Sequence, residues 1–316
     1  MFLNTQNSES KKVFQIGFLL RIAGVSLALI FIHHIADLQK LFKAITKAEI
    51  SLILVAILIT VSSPLLTTLR LKLFFLSIGT QISYSRCFLA NLCGLSLNLF
   101  LPARGGDLLK LAYISKNGLP SWGILAGVAL LERGFDLLAL GLLGLAASLT
   151  LGLHDAAIAS GIVSVAASTG LLILPKMGSL PIIGKKTKNI SKVFILKNKR
   201  KPLLLGCFCV CCLCWTTNLT IMGLLLSALD DNTSLSYAFA TTPPSIFAGM
   251  VPVSVWGVGT RDVALAYFLQ GITAPEIAIS AGFLYTTLLY WLLGLIGTPF
   301  LLFAKGSLKK QLPSQH

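Results

Sequence analysis

Three short stretches carry the residues that could do chemistry: "LPARGGDLLK" (101–110), "LLERGFDLL" (130–138) and "WGVGTRD" (256–262). In the first, Pro102 stops one helix, Gly105 and Gly106 permit a tight turn, and a new helix is expected to start near Asp107. A helix start exposes free N–H groups and partial positive charge, which suits a phosphate or a carboxylate. "WGVGTRD" offers a second such start. In the middle stretch Glu132 and Asp136 stand i, i+4 on one helical face, with Arg133 about 100° away.

The surroundings make these charges costly. The chain has 316 residues, 55% of them hydrophobic and 12% charged, with a mean hydropathy of +0.84. Apolar runs at 13–36, 50–69, 86–101, 122–152, 155–174, 203–229, 235–251 and 276–304 reach or approach the roughly 20 residues that span a bilayer as helix. The first run is long enough to anchor and is not followed by a small-x-small cleavage site, so it reads as a span and not as a leader. Eight residues, Arg104, Asp107, Lys110, Glu132, Arg133, Asp136, Arg261 and Asp262, would cost on the order of 20 kcal/mol if they faced lipid. They are expected to face one another or water. Two readings stay open: an ion-pair network that braces broken helices, or a polar path for a lipid headgroup in which Arg104 and Arg261 contact phosphate and Glu132, Arg133 and Asp136 brace Arg104.

Two runs are too short or too interrupted to cross simply: 86–101, which ends at Pro102, and 235–251, which carries Pro243 and Pro244. Read as re-entrant pairs, residues 86–117 entering from the cytoplasm and 235–271 from outside, they order the basic residues. Lys11, Lys12, Arg70, Lys72, Arg86, Lys116, the loop 175–202 and Lys305, Lys309 and Lys310 then fall inside, as cytoplasmic excess of Lys and Arg requires. Lys40, Lys43 and Lys47 fall outside, against that trend. The segments 101–144 and 251–297 share a proline, a glycine pair, an acid, Ala-Tyr (Ala112, Tyr113; Ala266, Tyr267) and a proline turn (Pro120; Pro275). The expected architecture is therefore an all-α polytopic membrane protein, a single transmembrane domain over 1–316 with about six spanning helices, two re-entrant helical elements and an inverted repeat, halves 13–152 and 155–304. Both termini are expected in the cytoplasm.

Other features exclude more than they suggest. A net charge of +15 arises largely from nine basic residues between Pro175 and Pro202, which mark a cytoplasmic loop and can also touch anionic lipid; no motif supports nucleic-acid binding. Five of seven cysteines crowd into "CFCVCCLC" (207–214); Cys207, Cys211 and Cys214 share a helical face, but buried packing explains them better than a metal, and no metal or cofactor is expected. His33 and His34 read as interfacial. Asp230-Asp231 reads as a helix-ending turn, with the acidic loop pair of a lipid-linked glycosyltransferase as the alternative. No catalytic triad or phosphate-loop motif is present.

The stretches 101–138 and 251–272 resemble the lysylphosphatidylglycerol synthase transmembrane-domain family, the flippase-like membrane part of the multiple peptide resistance factor. The likeness covers about 13–304. It carries Pro102, Arg104, Gly106 and Asp107 as the first motif, Glu132, Arg133 and Asp136 as the second, and Gly257, Gly259, Arg261 and Asp262 as the third, where the family commonly has glutamate at the last position. The resemblance implies a non-enzymatic inner-membrane protein that binds or translocates a phospholipid or lipid-linked substrate, with a lipid-modifying enzyme as a partner. The chain is expected to lack the soluble aminoacyltransferase domain. An enzyme or accessory acting on a lipid-linked substrate, and a non-transporting scaffold, are the competing expectations.

Overall fold

The structure is a computed structural model that describes residues 38–100, 105–114, 120–179, 193, 201–250 and 257–309. The first apolar run, His33-His34, Arg104 and most of the basic loop lie outside the described residues. Within them the chain is helical and without strands: α1 (Leu38–Lys47), α2 (Ile50–Ser77), α3 (Tyr84–Phe100), α4 (Gly106–Ile114), α5 (Trp122–Thr150), α6 (His154–Ile173), α7 (Lys201–Leu229), α8 (Leu235–Gly249), α9 (Thr260–Phe268), α10 (Pro275–Thr286) and α11 (Leu293–Lys309). A six-residue π-helical segment (Thr287–Leu292) joins the last two.

Among the described residues, four stretches are long and apolar enough to cross a membrane: Ile50–Ser77, His154–Lys176, Pro202–Leu229 and Pro275–Leu301. The 29-residue α5 is as long but carries Glu132, Arg133 and Asp136. α2 runs eight residues beyond the apolar run that marks it in sequence, through Arg70 and Lys72. It can do so because Arg70 is not left facing solvent or lipid: it is buried against α5.

Prolines inside helices orphan a carbonyl one turn earlier, and in a membrane that carbonyl needs a partner. α8 passes through Pro243 and Pro244 without breaking, and the Ala240 carbonyl that Pro244 leaves free accepts from the Ser148 hydroxyl of α5 at 3.0 Å. In α2 the Ser63 hydroxyl donates to the Thr60 carbonyl released by Pro64, at 2.8 Å. The Pro64 carbonyl in turn accepts from Thr68 at 2.6 Å.

One end of the bundle gathers the α1–α2 junction, the α5–α6 turn, the α7–α8 turn and the α9–α10 turn. There the Glu49 amide donates to the Ala228 carbonyl (2.8 Å), Thr273 to Asp230 (2.5 Å) and the Tyr267 hydroxyl to Asp155 (2.8 Å). α8 starts at this end and α9 returns to it. α3 and α4 form a second antiparallel pair that opens at the other end, where Arg86 of α3 meets the Tyr113 carbonyl of α4. Gly106 lets the start of α4 press on α3: a Cβ there would overlap the Gly94 carbonyl and sit 2.7 Å from the Asn98 amide.

Candidate functional site

The sequence-selected residues fall into two groups, each at the inner end of a short helix pair. The first lies between α2, α4 and α5. Arg70 reaches from α2 and splits its guanidinium, Nη1 to Asp136 Oδ1 and Nη2 to Glu132 Oε1, both at 2.5 Å. The helical spacing of the two acids puts them one turn apart, which matches the width of that fork. Lys110 of α4 donates to the same Glu132 oxygen at 3.2 Å, and Trp215 of α7 donates its indole N–H to Asp136 Oδ1 at 3.2 Å. Arg133 pairs with Asp107 and stands 3.7 Å from Asp136; Asn98 donates to Asp107 Oδ1 at 3.2 Å.

Three cations, Arg70, Lys110 and Arg133, thus balance three anions, Asp107, Glu132 and Asp136. The group is graded in exposure. The side chains of Arg70, Lys110, Glu132 and Asp136 are 10% exposed or less, whereas Arg133 is 37% and Asp107 22% exposed. Its interior is closed and its Arg133–Asp107 edge is open.

Glu132 and Asp136 hold Arg70, a cation the sequence reading did not assign to them; the expectation that Glu132, Arg133 and Asp136 brace Arg104 falls on a residue outside the described ones. Arg70 was missed as a site residue because, in sequence, an arginine at the edge of an apolar run looks like a membrane-flanking charge. The signal that could have found it is Lys72 two residues on, a better end for that span. Gly105 starts the turn into α4, and its carbonyl accepts the Leu109 amide at 3.2 Å.

The second group is built on α9 and α10. Gly257 and Gly259 adopt positive φ, +80° and +92°, a conformation that glycine enters without a Cβ penalty. Asp262 accepts the Gly259 amide at 3.1 Å, so this helix start is capped by its own acid. Arg261, 2% exposed, donates to Asp262 (Nε 2.9 Å, Nη2 2.5 Å), to the Gly282 carbonyl (2.6 Å) and to Thr286 Oγ1 (2.8 Å), and lies 5.1 Å from the Tyr285 ring centre. The π-helical turn begins directly after Thr286; such turns commonly mark functional positions. Gly282 was also missed: any Cβ there would overlap the Asp262 carboxylate.

α7 touches both groups. Trp215 binds Asp136, and one turn later Asn218 accepts the Tyr285 hydroxyl at 3.4 Å. The cysteines of α7 take no part in a metal-ligand cluster among the described residues; Cys207, Cys211 and Cys214 are buried packing residues. Asp230 closes a turn, accepting from the Asn232 amide (3.0 Å) and from Thr273. Partial burial pushes its carboxyl up, but those hydrogen bonds outweigh it and hold the group below its usual value.

No curated protein matches the chain significantly. A family model, described as the lysylphosphatidylglycerol synthase TM region, matches residues 18–297. That match takes in both helix pairs and both charge groups, so the chain belongs to the lysylphosphatidylglycerol synthase TM-region family.

Proposed function

We propose that the protein is a flippase-like lipid translocator. It holds the polar headgroup of a phospholipid, or of another lipid with a polar head, inside the helical bundle while the tails stay in the bilayer. The observation that carries this reading is the open Arg133–Asp107 edge of an otherwise closed and charge-balanced network. A purely structural network gains by closing completely, because each buried charge needs its partners. A guanidinium and a carboxylate that are both partly exposed leave room for a phosphate to exchange partners. Arg104, three residues before Asp107, is assigned to the same phosphate. Arg261 is buried and directs Nε and Nη2 to Asp262, Gly282 and Thr286, so in this reading its main part is to hold α9 to α10.

The short helix pairs opening at opposite ends of the bundle support an inverted repeat of two halves, six spans and two re-entrant elements in the cell inner membrane, with the termini and the loop 175–202 cytoplasmic. Proteins of this plan carry their site where broken helices meet near the midplane. The protein performs no covalent step in this reading, and net movement follows a gradient or removal of lipid by a lipid-modifying partner.

The test is reconstitution of the purified protein with headgroup-labelled phospholipids and an impermeant quencher. Inner-leaflet label is expected to become accessible rapidly, and Arg104→Ala or Arg133→Ala to slow this by about tenfold or more, the effect of losing about 1.4 kcal/mol. Exposure no faster than in empty vesicles, across anionic and aminoacylated lipids, would transfer the family assignment to an accessory or scaffold role.

A further inference from the structure

Lys40, Lys43 and Lys47 sit at the end of the bundle that holds Glu49, Asp155 and Asp230, opposite the end of α6 and the start of α7. They belong to α1, whose three lysines at i, i+3 and i+7 fall within roughly 60° of one another on the helix. Leu41, Phe42 and Ile45 occupy the other side. Leu41 packs against Ile279 of α10 together with Ala266 of α9, and Lys40 reaches Glu276 of α10 at 3.7 Å. Phe42 points elsewhere and is 72% exposed. The chain then turns at Ala48–Glu49 into α2, whose first turns expose Ile50 (70%) and Leu54 (59%).

An exposed aromatic ring that precedes the lipid-facing start of a long apolar helix belongs to the acyl boundary, not to water. With Leu41 on protein and Phe42 in that boundary, the lysine sector lies at headgroup level. Lysine stems cover apolar surface while their ammonium groups stay with phosphate and water.

We propose that α1 is an interfacial helix that binds anionic phospholipid headgroups in the leaflet at the Asp230 end, at the mouth where α9 meets α10. This accounts for three cations on the side where a topology signal would not place them. It rests on the chain being embedded in a membrane and is independent of whether lipid is then translocated.

The test uses the full chain in phosphatidylcholine vesicles containing phosphatidylglycerol. Phe42→Trp supplies the probe, read as the difference from the unsubstituted protein with its four native tryptophans. Bromine quencher is carried on the acyl chains of one lipid or the other at equal mole fraction. Both lipids are expected to quench the probe, phosphatidylglycerol about twofold or more the better. That preference should vanish in high salt and in the Lys40→Gln/Lys43→Gln/Lys47→Gln protein. Lys43→Gln alone, which keeps the Lys40–Glu276 pair, should lower it partway. Two results overturn the proposal: no quenching by either lipid, which would put Phe42 in water or against a second copy of the chain, or equal quenching by both with the lysines intact. A protein that moves no lipid but passes this test keeps the inference and loses only the translocation reading.

Discussion

Removing the Arg70 guanidinium leaves Glu132 and Asp136 buried, with Lys110, Arg133 and Trp215 as their remaining partners. Breaking a buried pair from one side typically costs about 3–5 kcal/mol, while replacing the whole set with uncharged groups of similar size is often neutral. Arg70→Ala is therefore expected to lower the thermal unfolding temperature of the detergent-purified protein sharply, and Arg70→Met with Glu132→Gln and Asp136→Asn to recover much of it. Arg133→Ala, at the open edge, should cost far less stability while still slowing lipid movement. At the second group Gly282→Ala forces a Cβ into the Asp262 carboxylate. Overpacking of this kind costs about 1–3 kcal/mol, and the same unfolding measurement should detect it.

At the scale of elements, both short helix pairs depend on local devices. Ser148→Ala should orphan the Ala240 carbonyl beside Pro244 and destabilise the protein by about 1 kcal/mol, since hydrogen bonds within membrane proteins average somewhat below that. Gly106→Ala should pry α4 from α3 and reduce both stability and lipid movement. The turn after α7 contributes a pH dependence. Because the folded protein holds the Asp230 carboxyl below its usual value, the stabilisation is complete above the unfolded value, about pH 4. It is lost as pH falls through the lower folded value. Unfolding temperatures of the Asp230→Asn protein should therefore fall less steeply with acid over that window than those of the unsubstituted protein.

For the molecule as a whole, charge and helix direction make a joint statement about sidedness. Asp155, Asp230 and Glu49 gather at one end, and the starts of α5 and α7 and the ends of α2 and α6 lie at the other, next to the acid-free basic loop in sequence. An epitope inserted after Thr187 is expected to be accessible only from the cytoplasmic side, and one inserted after Asp231 only from the opposite side. Antibody binding to right-side-out and inverted vesicles checks both. Accessibility of both epitopes from one side would refute the arrangement in the membrane.

The sequence alone determined that this is a helical membrane chain, where its apolar helices begin and end to within a few residues in most cases, and which residues are too polar to face lipid. Those properties are local: hydropathy over a turn or a span, the backbone limits of proline and glycine, and the cost of an unpaired charge in hydrocarbon. The Glu132–Asp136 spacing made one acidic face legible, and the glycine turns marked where α4 and α9 start. What local chemistry could not decide was pairing. Arg70 lies 62 residues from Glu132 in the chain, and Arg104 is an equally plausible cation by charge and hydropathy. Gly282 reads as one small residue among many until Asp262 is placed against it. Pro244 looks like a break until Ser148, on another helix, supplies a donor to the carbonyl it frees. Ion pairs and close backbone approaches are chosen by the packing of distant helices, and only the tertiary structure carries that information.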